Sequence, residues 1–255
     1  MGQVELKRKG QIAILSVIRP KALNALSREI IDEMDGFVEK IRKDPETRCL
    51  ILYSEKNFAA GADIKDMAVC NEEEAKAFVF SPTYNKIEDL PIPVIAAIEG
   101  YALGGGMELA MTADIRLAEK SAKMGFPEVT LGIMPGAGGT IRVPRVTGEA
   151  AAKELIFTGD IISAERAAAI GLVNRLSEDG NVLQDAEKLA EKLCRRAPIA
   201  LAAAKETIRA GREEPDWKRG VEIEAENWAK LFNTQDQKEG MKAFLEKRKP
   251  EFQNR

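Results

Sequence analysis

Two glutamates sit among apolar neighbours. Glu108 is flanked by Met107, Leu109, Ala110 and Met111, and Glu128 lies in the run Gly125-Phe126-Pro127-Glu128-Val129. Carboxyl groups in such company tend to be buried, and burial perturbs their proton affinity in the way general acid/base chemistry requires. Surface helices carry many solvated glutamates, so either position taken alone is evenly balanced between a solvated and a functional reading. An absence shifts the balance for the pair, because the 255 residues include no histidine. That excludes a Ser-His-Asp triad, a Cys-His pair, His-ligated zinc and a histidine base. Acid/base work near neutral pH then falls to carboxylates, Lys, Tyr or Cys, and Glu108 with Glu128 is the best pair present.

Two small-residue turns accompany them. Phe58-Ala59-Ala60-Gly61-Ala62-Asp63 lets backbone approach a ligand closely. Gly104-Gly105-Gly106 leads into the helix that carries Glu108. The first N–H groups of a helix have no intrahelical partner and carry partial positive charge. One N–H from each turn, converging on a single oxygen, would form an oxyanion hole; two ordinary strand-to-helix turns would use the same residues. A third tight segment, residues 132–140, follows Glu128. Its Gly136-Ala137-Gly138-Gly139-Thr140-Ile141 begins like a dinucleotide fingerprint but has Ile141 where the last glycine belongs. Neither a GxxxxGK[ST] phosphate loop nor a GxSxG elbow occurs, and clustered metal ligands are missing.

The elements that must position these residues follow from patterning. Residues 11–18 read as a strand stopped by Pro20, and residues 27–42 as an amphipathic helix capped by Ser27, with Ile30, Ile31, Met34, Phe37, Val38 and Ile41 on its apolar stripe. Strands are expected at 49–53, 94–98 and 115–118, with a helical stretch at about 72–89. Alternating strands and helices predict a parallel α/β arrangement whose chemistry lies at strand-end loops. Beyond residue 190 only helical patterns follow, at 198–211, 216–232 and about 235–247, after one spanning 182–196. The reading is an α/β body over 1–190 and a helical module over 191–255. In that module Trp217, Val221, Ile223, Trp228, Leu231 and Phe232 form apolar faces that a monomer would struggle to cover.

Bulk composition narrows the partners. At 45% hydrophobic and 31% charged residues, the chain can bury a core and fits one large domain with an appendage. A formal net charge of −3 provides no overall pull toward nucleic acid or anionic membranes. The basic run 192–196 is interrupted by Leu193 and Cys194 and reads as a solvated helix face, so nucleic-acid binding is not expected. The start, Met-Gly-Gln-Val-Glu-Leu, has no apolar signal core, and Leu6 stands where myristoylation requires Ser or Thr. No apolar run approaches the roughly 20 residues of a membrane span. Cys49, Cys70 and Cys194 are widely spaced and read as reduced thiols of a cytoplasmic protein.

Six segments together resemble the signature segments of the enoyl-CoA hydratase/isomerase (crotonase) superfamily: RPKALNAL at 19–26, FAAGADIKD at 58–66, GYALGGGMELA at 100–110, FPEVTLGIMPGAGGT at 126–140, LIFTG at 155–159 and AAAIGLVN at 167–174. They run in order over essentially the whole chain. The resemblance implies a crotonase-like spiral of ββα units with a helical C-terminal trimerisation region, acting on acyl-CoA thioesters. Matched residue by residue, the oxyanion-hole donors fall on Ala60 and Gly105 and the catalytic carboxyls on Glu108 and Glu128, whose separation (128 − 108 = 20) is that of hydratases. The substrate and CoA surface falls on Lys21, Ala22, Leu23, Ala60, Gly61, Ala62, Asp63, Ile64, Leu103, Gly104, Gly105, Pro127, Leu131 and Gly136, with Lys21 at the nucleotide end. Members that isomerise, decarboxylate or hydrolyse thioesters often lack one glutamate, so the intact pair implies an enoyl-CoA hydratase. It would add water reversibly across the 2,3 double bond, need no metal or redox cofactor, and form a homotrimer paired into a hexamer. The nearest alternative is an enoyl-CoA isomerase or a hydratase of branched or cyclic acyl groups; an RNA-binding member is more remote. Phe126 stands where the family more often has Gln, which implies a reshaped acyl pocket.

Overall fold

The computed structural model describes residues 3–255; the reading of Met1 and Gly2 for signal or acylation motifs lies outside them. Among the described residues, nine strands form two sheets. The larger is built from β1 (Gln3–Lys9), β2 (Ile12–Ile18), β3 (Cys49–Tyr53), β4 (Val94–Ile98), β6 (Ile115–Glu119) and β9 (Arg175–Ser177), in the order β1-β2-β3-β4-β6-β9. The smaller is β5 (Tyr101–Leu103), β7 (Lys123–Gly125) and β8 (Ile161–Ser163). Among the described residues, the β1–β2 and β7–β8 pairs are antiparallel and the other pairs parallel.

The central strands read as unbroken apolar runs because both faces are covered. Leu50, Leu52, Ala96 and Ile98 face the main core, which also takes Ile30, Ile31, Met34, Val38 and Ile41 of the helix Arg28–Lys43. Ile51, Ile95, Ala97 and Leu117 alternate to the other face, where Val182, Ala186, Leu189 and Ala190 of the helix Val182–Cys194 pack on them. The expected boundary at 190/191 therefore falls inside a helix that lies on the sheet. Ser27 accepts a hydrogen bond from the Ile30 N–H, the cap its sequence position implies.

The expected helix at 72–89 is two helices, Glu72–Phe78 and Ser81–Glu88. Pro82 lacks an N–H and fits only the first turn of a helix, so Val79 turns extended (φ −60°, ψ 140°) and a new helix begins. The break sends the Phe80 ring inward, to 4% exposure. The last three helices, Pro198–Glu213, Trp217–Leu231 and Gln235–Leu245, carry no strand between them. The first two have no buried residue at all. Trp217, Trp228 and Phe244 are 83%, 62% and 82% exposed. Among the described residues, no helix is long and apolar enough to cross a membrane.

Candidate active site

The site is assembled from turns that follow β3, β5 and β7, stitched together by main chain. The Ala59 N–H donates to Tyr101 O and the Leu103 N–H to Ala59 O, both at 3.0 Å. Leu26 bridges the same segment: its N–H donates to Gly61 O and its carbonyl accepts from the Asp63 N–H, each at 2.8 Å. Arg19 pairs with Asp63 at 2.6 Å, holding the Asp63 carboxyl below the usual range, and Asp63 also caps the helix Ile64–Met67. Asn24, buried and at φ +58°, anchors the turn from below by donating to the carbonyls of Glu55 and Asn57.

Above these turns opens a cleft of about 410 Å³. Of the residues assigned to the site from sequence, Ala60, Gly61, Ala62, Ile64, Gly104, Gly105, Glu108, Pro127, Glu128, Leu131 and Gly136 line it. Lys21, Ala22, Leu23, Asp63 and Leu103 do not. Lys21 and Leu23 are exposed beside it, and Asp63 and Leu103 are spent on the contacts above. The sequence reading missed the apolar wall formed by Met67, Phe78, Val79, Phe80, Ile133 and Met134. Pro82 was the one available signal, since it breaks a helix in which Phe78 and Phe80, two residues apart, would have pointed to different faces. Phe126 is fully buried and does not line the cleft, so the expected reshaping of the pocket by its side chain does not occur by contact.

One expected donor is corrected. The Ala60 N–H is spent on the Leu23 carbonyl at 3.1 Å and cannot serve an oxyanion. Gly61, at φ +108°, interrupts the extended run, and in the next residue the Ala62 N–H has no acceptor among the described residues. Gly105 is the first residue of the helix Gly105–Ala110, and its N–H is likewise without an acceptor among them. A Cβ on Gly105 would lie 3.6 Å from the Ala62 nitrogen, so the two amides border the same small volume. The two amides left free beside the cleft are therefore Ala62 and Gly105.

The two glutamates sit differently. Glu108 is 2% exposed, and its Oε1 accepts from the Ala137 and Gly139 N–H groups, each at 2.7 Å. Burial raises its pKa; those two N–H groups and the nearby Arg142 oppose the rise. Glu128, 8% exposed, is buried with no hydrogen-bond partner for either carboxyl oxygen among the described residues. Gly104 makes room for it: φ is +48°, and a Cβ there would stand 2.9 Å from Glu128 Oε1. Burial, and secondarily the Glu108 charge, push Glu128 up to about 7. Burial pushes both carboxyls up; two amides and Arg142 restrain the rise at Glu108, and Glu128, raised to about 7, is placed to hold a proton in the neutral range.

Burying Glu128 has a stability consequence whose sign is fixed. Its folded-state pKa lies above the unfolded value, so the folded state binds the proton more tightly. Stability is lost as pH rises from about 4.5 through about 7. Glu128→Gln is therefore expected to stabilise the protein by about 2–3 kcal/mol at pH 8 and by much less at pH 5. Denaturant melts at both pH values check this; equal gaps would show that Glu128 titrates normally.

Comparison with known proteins places these features. Residues 7–255 match the family model described as enoyl-CoA hydratase/isomerase. The chain is 43% identical to a short-chain-enoyl-CoA hydratase of Clostridium acetobutylicum, over 100% of this chain and 99% of that protein. It is 42% identical to a crotonyl-CoA hydratase of Syntrophomonas wolfei, over 97% and 96%. The crystal structure of an enoyl-CoA hydratase from Bacillus anthracis superposes with a TM-score of 0.95 at 39% identity, covering 99% of each chain.

Proposed function

The chain belongs to the enoyl-CoA hydratase/isomerase family, and on that premise we propose that it is an enoyl-CoA hydratase, adding water reversibly across the 2,3 double bond of a 2-enoyl-CoA to give a 3-hydroxyacyl-CoA. The observation that carries this reading is the unequal carboxyl pair: Glu108 held by two amides, Glu128 buried, without a hydrogen-bond partner among the described residues and raised to about 7.

The chemistry follows from that inequality. The thioester oxygen sits between the Ala62 and Gly105 N–H groups, where charge accumulates as the double bond is attacked. Glu108, ionised, takes a proton from water as the water oxygen bonds to C3. The C2=C3 π electrons move toward the thioester, and Glu128, protonated, delivers its proton to C2. The product has gained H and OH; Glu108 ends protonated and Glu128 ionised, and solvent resets the pair. Donors fixed in advance to the transition-state charge lower the barrier without a reorganisation cost. No metal or redox group enters this balance, and CoA is part of the substrate. Lys21 and Leu23, exposed beside the cleft, are assigned to the CoA surface. The Phe78 and Phe80 rings, centroids 5.4 Å apart, are assigned to the wall of the acyl end.

The deciding experiment is an absorbance assay with crotonyl-CoA and longer, branched and cyclic enoyl-CoAs. Loss of the conjugated enoyl absorbance is expected without added cofactor and unaffected by chelators. No turnover with any of them would defeat the proposal, and movement of the double bond without water uptake would replace it with isomerisation.

We assign the assembly to a closed homotrimer, paired into a hexamer. The uncovered Trp217, Trp228 and Phe244 support it, since a lone chain leaves these side chains largely in water. Light scattering is expected to give three or six chains per particle; a stable monomer at micromolar concentration would contradict the assignment.

A further inference from the structure

Arg142 is 8% exposed and does not line the cleft, yet its side-chain bonds all lead to the site's supports. Nη1 donates to the Ala137 carbonyl at 2.9 Å. Nη2 donates to Asn85 Oδ1 at 2.7 Å and pairs with Glu88 Oε2 at 2.7 Å, while Nε donates to the same oxygen at 2.8 Å. Asn85 and Glu88 lie on the helix Ser81–Glu88, whose Tyr84 donates to the Gly105 carbonyl at 2.7 Å. The guanidinium is folded tightly over Gly138: this residue is at φ +105°, and a Cβ there would come within 2.0 Å of Nη1. It is therefore wedged against the turn whose Ala137 and Gly139 amides hold Glu108 Oε1.

We propose that Arg142 is a positioning residue for hydration: tethered to Asn85 and Glu88, it fixes the turn 137–139 and thereby the orientation of Glu108, without touching substrate. This rests on the assignment of water activation to Glu108. With Oε1 held by two amides, Glu108 has one oxygen left for the cleft, and a loosened turn would let the carboxyl rotate away from the water. A buried guanidinium is tolerated only with good partners, and Glu88, Asn85 and the Ala137 carbonyl supply them. The groups facing Glu108 are Glu128 from the turn 127–131, Tyr84 from the helix Ser81–Glu88, and Arg142 from the helix Gly139–Thr147 with Glu88 behind it. The Arg142 charge holds the Glu108 proton affinity down. Losing that charge moves the affinity up; losing the Glu88 charge moves it down.

The test compares Arg142→Gln, Glu88→Gln and Asn85→Ala, and combines Arg142→Gln with Glu108→Gln. Arg142→Gln is expected to lower kcat by about 10²-fold, the usual effect of a misplacement near 1 Å, with KM little changed. The acid limb of its pH–rate profile should move to higher pH, and that of Glu88→Gln to lower pH. Amide exchange at Ala137 and Gly139 should quicken in Arg142→Gln and in Asn85→Ala. In the Glu108→Gln background, Arg142→Gln should cost nothing further. A folded Arg142→Gln with an unmoved acid limb and unchanged exchange at those two amides would overturn the proposal, as would a fully additive loss in the double variant. Should Arg142→Gln fail to fold, an unmoved limb in Glu88→Gln together with unchanged exchange in Asn85→Ala has the same force. Full activity in Glu108→Gln alone would instead remove the hydration reading, while the exchange measurement would still decide whether Arg142 holds the turn.

Discussion

Glu108→Gln and Glu128→Gln are each expected to lower kcat by about 10²–10⁴-fold, the usual contribution of a positioned acid or base, with KM little changed. Neither replacement should disturb the fold. In Glu108→Gln the new side-chain carbonyl can still accept from the Ala137 and Gly139 amides that hold Glu108 Oε1. The new NH₂ then faces the cleft as a donor, the wrong polarity for taking a proton from water. Glu128 has no hydrogen-bond partner to lose among the described residues. The double variant should lose much less than the product of the two single losses, because groups that act as a unit are not additive. The roles separate in a second measurement, solvent exchange at C2 of a saturated acyl-CoA. With Glu128 handling the C2 proton, exchange should survive Glu108→Gln better than Glu128→Gln. Equal exchange in both would end the role assignment, and near-normal hydration in Glu128→Gln would end the two-carboxyl mechanism. The wild-type profile should be bell-shaped, with an alkaline limb near 7 as Glu128 loses its proton. Its two limbs are macroscopic values of the coupled pair.

Gly105→Pro is expected to lower kcat by about 10²–10³-fold, the cost of removing one oxyanion donor. Position 105 suits the experiment because it opens a helix, where proline is tolerated. Gly105→Ala is the control: it keeps the N–H, and its Cβ would meet Phe80 at 3.5 Å and the Ala62 nitrogen at 3.6 Å, ordinary contact distances. Activity near wild type in Ala and a deep loss in Pro would isolate the amide. Equal losses in both would mean that the space, not the donor, matters.

What could be read from the sequence depended on how locally each feature is determined. The strand Val94–Ile98 was legible because both its faces are buried, so the whole run is apolar. The strands Tyr101–Leu103, Lys123–Gly125 and Ile161–Ser163 were not, since three residues are too few to show a period. Glu108 and Glu128 stood out because their immediate neighbours are apolar. The choice between Ala60 and Ala62 was beyond local reading. Which of two similar amides stays free is decided by the Leu23 carbonyl, 37 residues earlier than Ala60 in sequence (60 − 23 = 37). The wall of Phe78 and Phe80 was hidden for a related reason: a continuous helix through 72–89 would have faced those rings differently. Arg142 was invisible because its meaning comes from Asn85 and Glu88, on a distant helix.

The groups proposed to meet the oxyanion, at Ala62 and Gly105, and the holders of Glu108, at Ala137 and Gly139, are all main-chain amides. Every residue type except proline carries that group, so this part of the reaction centre is written in the path of the chain rather than in its alphabet. The side chains at Met67, Phe78, Val79, Phe80, Ile133 and Met134 belong to a different inheritance. On the proposed function, they can drift toward longer, branched or bulkier acyl groups one substitution at a time while the chemistry beneath them stays the same. A scaffold divided in this way allows descent with new substrates and an old reaction, and the wall rather than the floor is where directed evolution of this chain should begin.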